Sequence, residues 1–268
     1  MQRIRLRYTK RGRLRFTSHR DFQRAFERAL RRAGVPMAYS AGFTPHPKVS
    51  YANAAPTGVG SEAEYLEIAL SRTCDPEELR LLLDESLPTG LDVIEAVEAH
   101  TSGLADRLEA SVWQLRLDGV EPADARRAVA AFLAADAVEV QRNTKNGMRT
   151  FDCRAAVTRL EVVDTADVTD VASATDVTPV AYADTAGQGA DRSQDNACAI
   201  LRLVVRHLTP AVRPDDVLSG LHTTADLAPP VPAAVTRLAQ GPLDEESGTV
   251  TDPLALDRDA VAVPAGSA

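Results

Sequence analysis

The 268 residues are 44% hydrophobic and 25% charged but only 4% aromatic, a globular composition whose core must be built from Leu, Val and Ala. No apolar run approaches the roughly 18 residues of a membrane span, and the opening MQRIRLRYTK alternates Arg with apolar residues where a secretory leader would carry an apolar block, so a cytoplasmic protein without membrane contact is expected. The formal charge of −8 hides a split: residues 1–50 carry 13 Lys and Arg against Asp21 and Glu27, or +11, leaving −19 on the other 218, which aims the first segment at a polyanion or an acidic surface unless the two parts neutralise each other internally.

In chain order, Arg3, Arg5 and Arg7 alternate with Ile4, Leu6 and Tyr8, the period of a half-buried strand. After Lys10-Arg11-Gly12 the alternation resumes with Arg13 and Arg15 against Leu14 and Phe16, predicting a hairpin or a bent continuation with Phe16 inward. Ser18 to Asp21 resembles a capping box, and Phe22, Ala25, Phe26, Ala29, Leu30 and Ala33 follow at helical spacing until Gly34 and Pro36. Residues 36–61 are punctuated by Gly and Pro, with strand-like pieces at 37–40 and 48–51. A strand at 64–70, a helix at 76–86 opened by Asp75-Pro76 and a strand at 91–99 complete a strand, helix, strand, strand, helix, strand order, the split ferredoxin-like arrangement.

A second round follows: strand 110–117, helix 121–134, strand 138–142 and strand 148–160, the last two joined through Asn146-Gly147. Residues 163–196, rich in Asp, Ala, Thr and Val without a period, read as a flexible insertion. Strand 197–207 and helix 214–221 come next, 231–238 fits either strand or helix, and the acidic, Pro- and Gly-containing stretch from Gly241 reads as a disordered tail. The expectation is an α+β protein of two tandem ferredoxin-like units with antiparallel sheets: residues 1–100 with the basic face, residues 108–240 interrupted at 163–196, and a tail at 241–268.

Packing of Ile4, Leu6, Tyr8, Leu14 and Phe16 on the helix would throw Arg3, Arg5, Arg7, Arg13 and Arg15 onto one opposite face. Like charges there repel unless phosphates or carboxylates intervene, and the planar guanidinium suits phosphate. Arg20, Arg24, Arg28 and Arg31 recur at helical spacing as a second basic stripe, and Lys48 adds a cation. RNA is the polyanion that would satisfy these groups; a solvated surface or an acidic partner protein would do so too. With no stacking aromatic expected on that face, recognition of shape and backbone is anticipated over base readout.

His46, between Pro45 and Pro47, and His19 are the candidates for general acid and base in a metal-independent ribonuclease. The alternative is that the two prolines only stiffen a turn. Cys74, Cys153 and Cys198 are too few and too scattered for a disulfide framework or an iron–sulfur or zinc set, and His100, His207 and His222 lack ligand spacing, so no metal or cofactor is expected. Thr57 to Ser61 opens no helix and is no nucleotide fingerprint. Trp113 reads as core.

The stretch from Leu14 to Ile68 carries Arg15-Phe16, His19-Arg20-Asp21, the loop Ser40-Ala41-Gly42-Phe43-Thr44-Pro45-His46-Pro47, and Thr57-Gly58 to Ser61-Glu62. It resembles a bacterial domain family of unknown function found beside, or fused to, radical S-adenosylmethionine proteins. A weaker likeness continues at 143–147 and from Arg213-Pro214 to Leu218. The resemblance implies a radical S-adenosylmethionine protein as partner and carries no catalytic residue over. The chain therefore reads as an accessory protein that binds RNA in modification or processing, with a protein adaptor as the alternative and a ribonuclease behind both. The tandem layout also looks like that of CRISPR RNA-processing endonucleases, a likeness of fold alone.

Overall fold

In the computed structural model, residues 1–144, 147–164 and 197–261 are described. They form a mixed α+β protein of twelve strands and five α-helices with largely antiparallel pairing. Two compact units are present, residues 1–112 with 236–268, and residues 113–235. Most of the stretch read as an insertion, residues 165–196, lies outside the described residues, as do 145–146 and 262–268.

The first unit opens with β1 (Gln2–Lys10), α1 (His19–Arg32), β2 (Val49–Ala52), β3 (Gly60–Leu70), α2 (Pro76–Ser86) and β4 (Val93–Glu98). Strand β1 lies between β4 and β3, antiparallel to both, and β2 pairs antiparallel with β3 at Tyr65–Ile68, an order of β4, β1, β3, β2. Alternate residues Ile4, Leu6, Ile68 and Leu70 turn to one face and pack with Phe22, Phe26 and Leu30 of α1 and Leu79 and Leu83 of α2. Tyr8 stacks on Phe22 at 4.7 Å between centroids, adding to area burial the offset-stacking gain of about 0.5–1.5 kcal/mol typical of such pairs. Ser18 caps α1 by accepting the Asp21 N–H at 3.2 Å, and Asp75 caps α2 by accepting the Glu78 N–H at 2.9 Å. Asp21 in the first turn and Arg31 and Arg32 in the last complement the helix dipole of α1.

The expected strand at 13–16 is a 3₁₀ helix, Gly12–Phe16. Arg11 gives its N–H to Gly90 C=O at 2.8 Å, and Gly12 then turns the chain at φ +54°, a conformation that favours glycine. The N–H groups of Leu14 and Thr17 close three-residue turns onto Arg11 and Leu14. Period two is lost with the ladder: Leu14 packs on the core while Phe16 stands 59% exposed.

The second unit takes most of β5 (Ala110–Asp118), then α3 (Pro122–Ala134), the hairpin β6 (Glu139–Thr144) and β7 (Gly147–Asp152), β8 (Val157–Val163), β9 (Cys198–Arg206) and α4 (Pro214–Ala225). Strand β9 runs between β5 and β8. One strand was expected over 148–160; two form, because the Asp152 carboxylate accepts the N–H groups of Val138 and Arg154, both at 2.8 Å, and bends the chain at Cys153. Trp113 is buried. Cys153 is buried as well, its thiol pushed up to about 12 by burial, while Cys74 and Cys198 are half-buried free thiols.

After β10 (Ala234–Gly241) the stretch expected to be a tail is folded as far as Val261, and its last residues, 262–268, lie outside the described residues. It forms β11 (Leu243–Asp244), β12 (Thr249–Val250) and α5 (Ala255–Val261). Leu254 packs with Tyr65, Ala52, Ala63, Leu104 and Leu108 in a second core cluster. Tyr65 alternates along β3 with Leu66 and Glu64, so this cluster covers the sheet face turned away from α1 and α2. Strand β10 joins β3 in parallel at Thr236 and Arg237. There Arg237 and Glu64, both buried, pair at 3.3 Å, Arg237 also bonds Asn53 C=O at 2.6 Å, and Gln240 bonds Ala63 C=O at 2.7 Å. No helix among the described residues is long and apolar enough to cross a membrane.

Candidate nucleic-acid interface

The arginines expected on one face divide into two populations. On β1, Arg5 is fully buried. Its Nε donates to Glu67 at 2.9 Å, its Nη2 donates to the Thr101 carbonyl at 2.7 Å, and its Nη1 pairs with Asp257. Asp257 is equally buried and accepts N–H bonds from His100 (3.0 Å) and Thr101 (2.9 Å), the Thr101 hydroxyl (2.6 Å) and Arg107 (3.0 Å). Burial alone would raise the Asp257 carboxyl; the bonds from Thr101 and Arg5 outweigh it and hold it at about 2. Arg3 shares Glu67 at 3.3 Å, and Arg7 bonds the Glu62 carbonyl at 3.1 Å. The expected common face of Arg3, Arg5, Arg7, Arg13 and Arg15 therefore does not exist. The sheet face that carries Arg5 meets the chain's own carboxylates, and Arg13 and Arg15 leave the strand altogether on the 3₁₀ turn.

Helix α1 supplies the other population. Arg20, Arg24, Arg28 and Arg31 are exposed and fall within a sector of about 80° at 100° per residue, spanning about 16 Å of helix axis. The opposite side of the same helix carries Phe22, Phe26, Ala29 and Leu30 into the core. Among the described residues the row makes one ion pair within 4.0 Å, Arg24 with Asp21, and Glu27 shares the face by spacing, three residues after Arg24 and four before Arg31. Like charges four residues apart each weaken an isolated helix by about 0.2–0.5 kcal/mol. Asp21 and Glu27 offset part of that repulsion, and the core under Phe22 and Phe26 supports the helix that carries the row. Arg13 and Arg15, both exposed, extend the charge through the turn that leads into α1, where the Arg15 guanidinium lies 4.8 Å from the centroid of the exposed Phe16 ring.

The remaining candidates lie at two places. His19, in the first turn of α1, meets Tyr51 edge-on at 5.0 Å and pairs with the Gln23 amide at 3.0 Å. His46 belongs to the loop between α1 and β2, where its backbone N–H donates to Ser40 Oγ at 3.0 Å and its carbonyl accepts the Ser40 N–H at 2.9 Å. Among the described residues no hydrogen bond or ring contact joins the two imidazoles. Gly42, at φ +126°, and the fully exposed Phe43 form the tip of this loop, and the run Pro45-His46-Pro47 returns it to Lys48, whose side chain is exposed. Among the described residues no group of three or more His, Cys, Asp and Glu could share a metal ion.

Sequence periodicity missed three features. Phe16 is an exposed aromatic beside arginine, missed because the strand was extended past Gly12. Asp257 was assigned to a tail, although Asp252-Pro253 followed by Leu254 is a helix-opening pattern; Asp252 accepts the Leu254 N–H at 2.9 Å. The Arg237–Glu64 pair joins residues far apart in the chain and left no local signal.

A family model described as "Uncharacterized protein conserved in bacteria (DUF2344)" matches residues 3–214. No curated protein matches the chain. Among solved structures, one described as the crystal structure of an unknown protein from Galdieria sulphuraria is similar at 13% identity, over 88% of this chain and 98% of that one, with a TM-score of 0.23.

Proposed function

The chain belongs to that bacterial family, and we propose that it binds RNA along the exposed face of α1 and its entry turn, through Arg13, Arg15, Arg20, Arg24, Arg28 and Arg31. The observation that carries this reading is the row of four exposed guanidinium groups on α1, which outnumbers the two carboxylates of the helix, Asp21 and Glu27, and is held in place by a well-packed opposite face. Guanidinium groups along a rigid helix offer paired donors to successive phosphates without reading sequence. Phe16 beside Arg15 adds a ring on which an unpaired base can stack. Shape and backbone recognition remain the expected mode, with Phe16, beside the row, able to favour an unstacked base.

The role within a cell follows from the resemblance to proteins linked to radical S-adenosylmethionine enzymes: the chain is proposed as the accessory that presents an RNA to such an enzyme. The finer fold reading, ferredoxin-like units in tandem, is proposed on the strand order β4, β1, β3, β2 of the first unit and the order β5, β9, β8 of the second.

The test is a salt titration of binding to folded and single-stranded RNA. Affinity should fall with salt at a log–log slope of about −0.7 per phosphate contacted on a single strand, and Arg24→Glu with Arg28→Glu should flatten it. No binding at low salt, or a slope unchanged by the double reversal, overturns the reading. Copurification with a radical S-adenosylmethionine protein that survives nuclease and fails after the same reversals would instead make α1 a docking face for an acidic protein.

A further inference from the structure

On the sheet face turned away from α1, the chain forms an open groove of about 390 Å³ lined by Arg3, Ser40, His46, Lys48, Ser50 and Glu67 among others. Arg3 and Glu67 alternate with Ile4 and Ile68, which point into the core beneath α1 and α2, so this groove and the α1 row lie on opposite sides of the sheet. We infer that it binds a phosphate monoester on a hydroxyl-bearing molecule, either a free mononucleotide or the 5′ end of an RNA strand. The inference does not depend on the α1 row.

Ser40 and His46 exchange backbone bonds, N–H to carbonyl at 2.9 Å and N–H to Oγ at 3.0 Å. Lys48 bonds Ala38 at 2.9 Å through its N–H and accepts the Ala69 N–H at 3.0 Å. The two arms of the loop are thereby tied to each other and to the end of β3, and prolines on either side of His46 restrict its backbone further. A ligand meeting these side chains would not have to order the backbone that carries them.

The donors then define the ligand. Arg3, 43% exposed in its side chain, offers a guanidinium; Lys48 offers an ammonium, His46 an imidazole, and Ser40 and Ser50 hydroxyls. This set suits a compact, multiply charged oxyanion. Glu67 would repel such an anion if it stood alone, but Arg5 holds it at 2.9 Å from the buried side and Arg3 at 3.3 Å. Its carboxylate can also accept from a sugar hydroxyl, which is why a phosphorylated polyol fits better than inorganic phosphate. The volume lies at the lower end of the range for small-molecule sites and is of nucleotide size.

The experiment is calorimetry on the full chain with adenosine monophosphate, adenosine, and a ribo-trinucleotide with and without its 5′ phosphate, repeated for Lys48→Ala and His46→Ala. Both variants remove exposed side chains whose backbones make the framing bonds, so folding is expected to persist. Binding that needs the phosphate, and falls about tenfold or more in Lys48→Ala, supports the groove. Preference for the mononucleotide or for the phosphorylated trinucleotide decides the source. Equal binding with and without phosphate, no binding of either phosphorylated form up to about 10 mM, or full retention in Lys48→Ala overturns it. Arg24→Glu with Arg28→Glu should leave this binding unchanged, which separates its failure from failure of the RNA reading on α1.

Discussion

Strand β1 and helix α1 are adjacent in sequence, both rich in arginine, and opposite in what their arginines meet. On β1, Arg5 sits at 0% exposure between Glu67 and Asp257, and Arg3 and Arg7 both have partners on β3. On α1, Arg20, Arg24, Arg28 and Arg31 are all exposed, with Asp21 4.0 Å from Arg24. Periodicity tells which way a guanidinium points; it does not tell what arrives later in the chain to cover it. A strand face needs a covering layer, here supplied by residues 101–108 and 252–257, whereas the outer side of a packed helix needs none.

The contrast can be broken most sharply at Asp257. Replacing Asp257 by Ala leaves the buried Arg5 with Glu67 as its one remaining carboxylate partner, which should cost about 3 kcal/mol in urea unfolding, the lower end for a broken buried pair, and the paired change Arg5→Met with Asp257→Leu should recover most of that. A loss under 1 kcal/mol, on the order of a surface ion pair, would mean that Arg5 is as solvated as the α1 arginines.

A smaller effect is expected from acid. Asp257 is held below its ordinary value, so its contribution is fully present above the unfolded carboxyl value near 4 and is lost as pH falls through about 2. The window carries about 2 kcal/mol, and Asp257→Asn should lack that part of the acid profile. Identical acid unfolding curves for the two proteins would remove the buried pair from the comparison. The smallest effect belongs to α1: Arg28→Ala should change stability by no more than about 0.5 kcal/mol, measured in the same urea series. A larger loss would show that the helix row is structural after all.

The first unit's elements were legible because each has a local cause: alternation for β1, Ser18 and the Phe22, Phe26, Leu30 spacing for α1, Asp75-Pro76 for α2. The 3₁₀ turn was not, since Arg13 to Phe16 has strand periodicity and only the left-handed Gly12 cancels it. The break at Cys153 depends on the Asp152 carboxylate reaching Val138 across the hairpin. At the candidate sites the α1 row was readable from spacing alone, while the groove depends on Glu67 and Ser50 of strands that only the sheet register brings beside Arg3. The fate of Arg5 was hidden because its partner lies 252 positions away.

That separation bears on how the protein is made. Residues 1–112 leave the ribosome first, yet their unit is completed by 236–261, after all of 113–235 has been synthesised. During that interval Arg5 has Glu67 but not Asp257, Arg107 awaits the same Asp257, and the Tyr65 face awaits Leu254. A nascent chain stalled before residue 252 would hold a finished helical side and an unfinished sheet side, so trimming the carboxyl end short of α5 acts as an injury to the amino-terminal core.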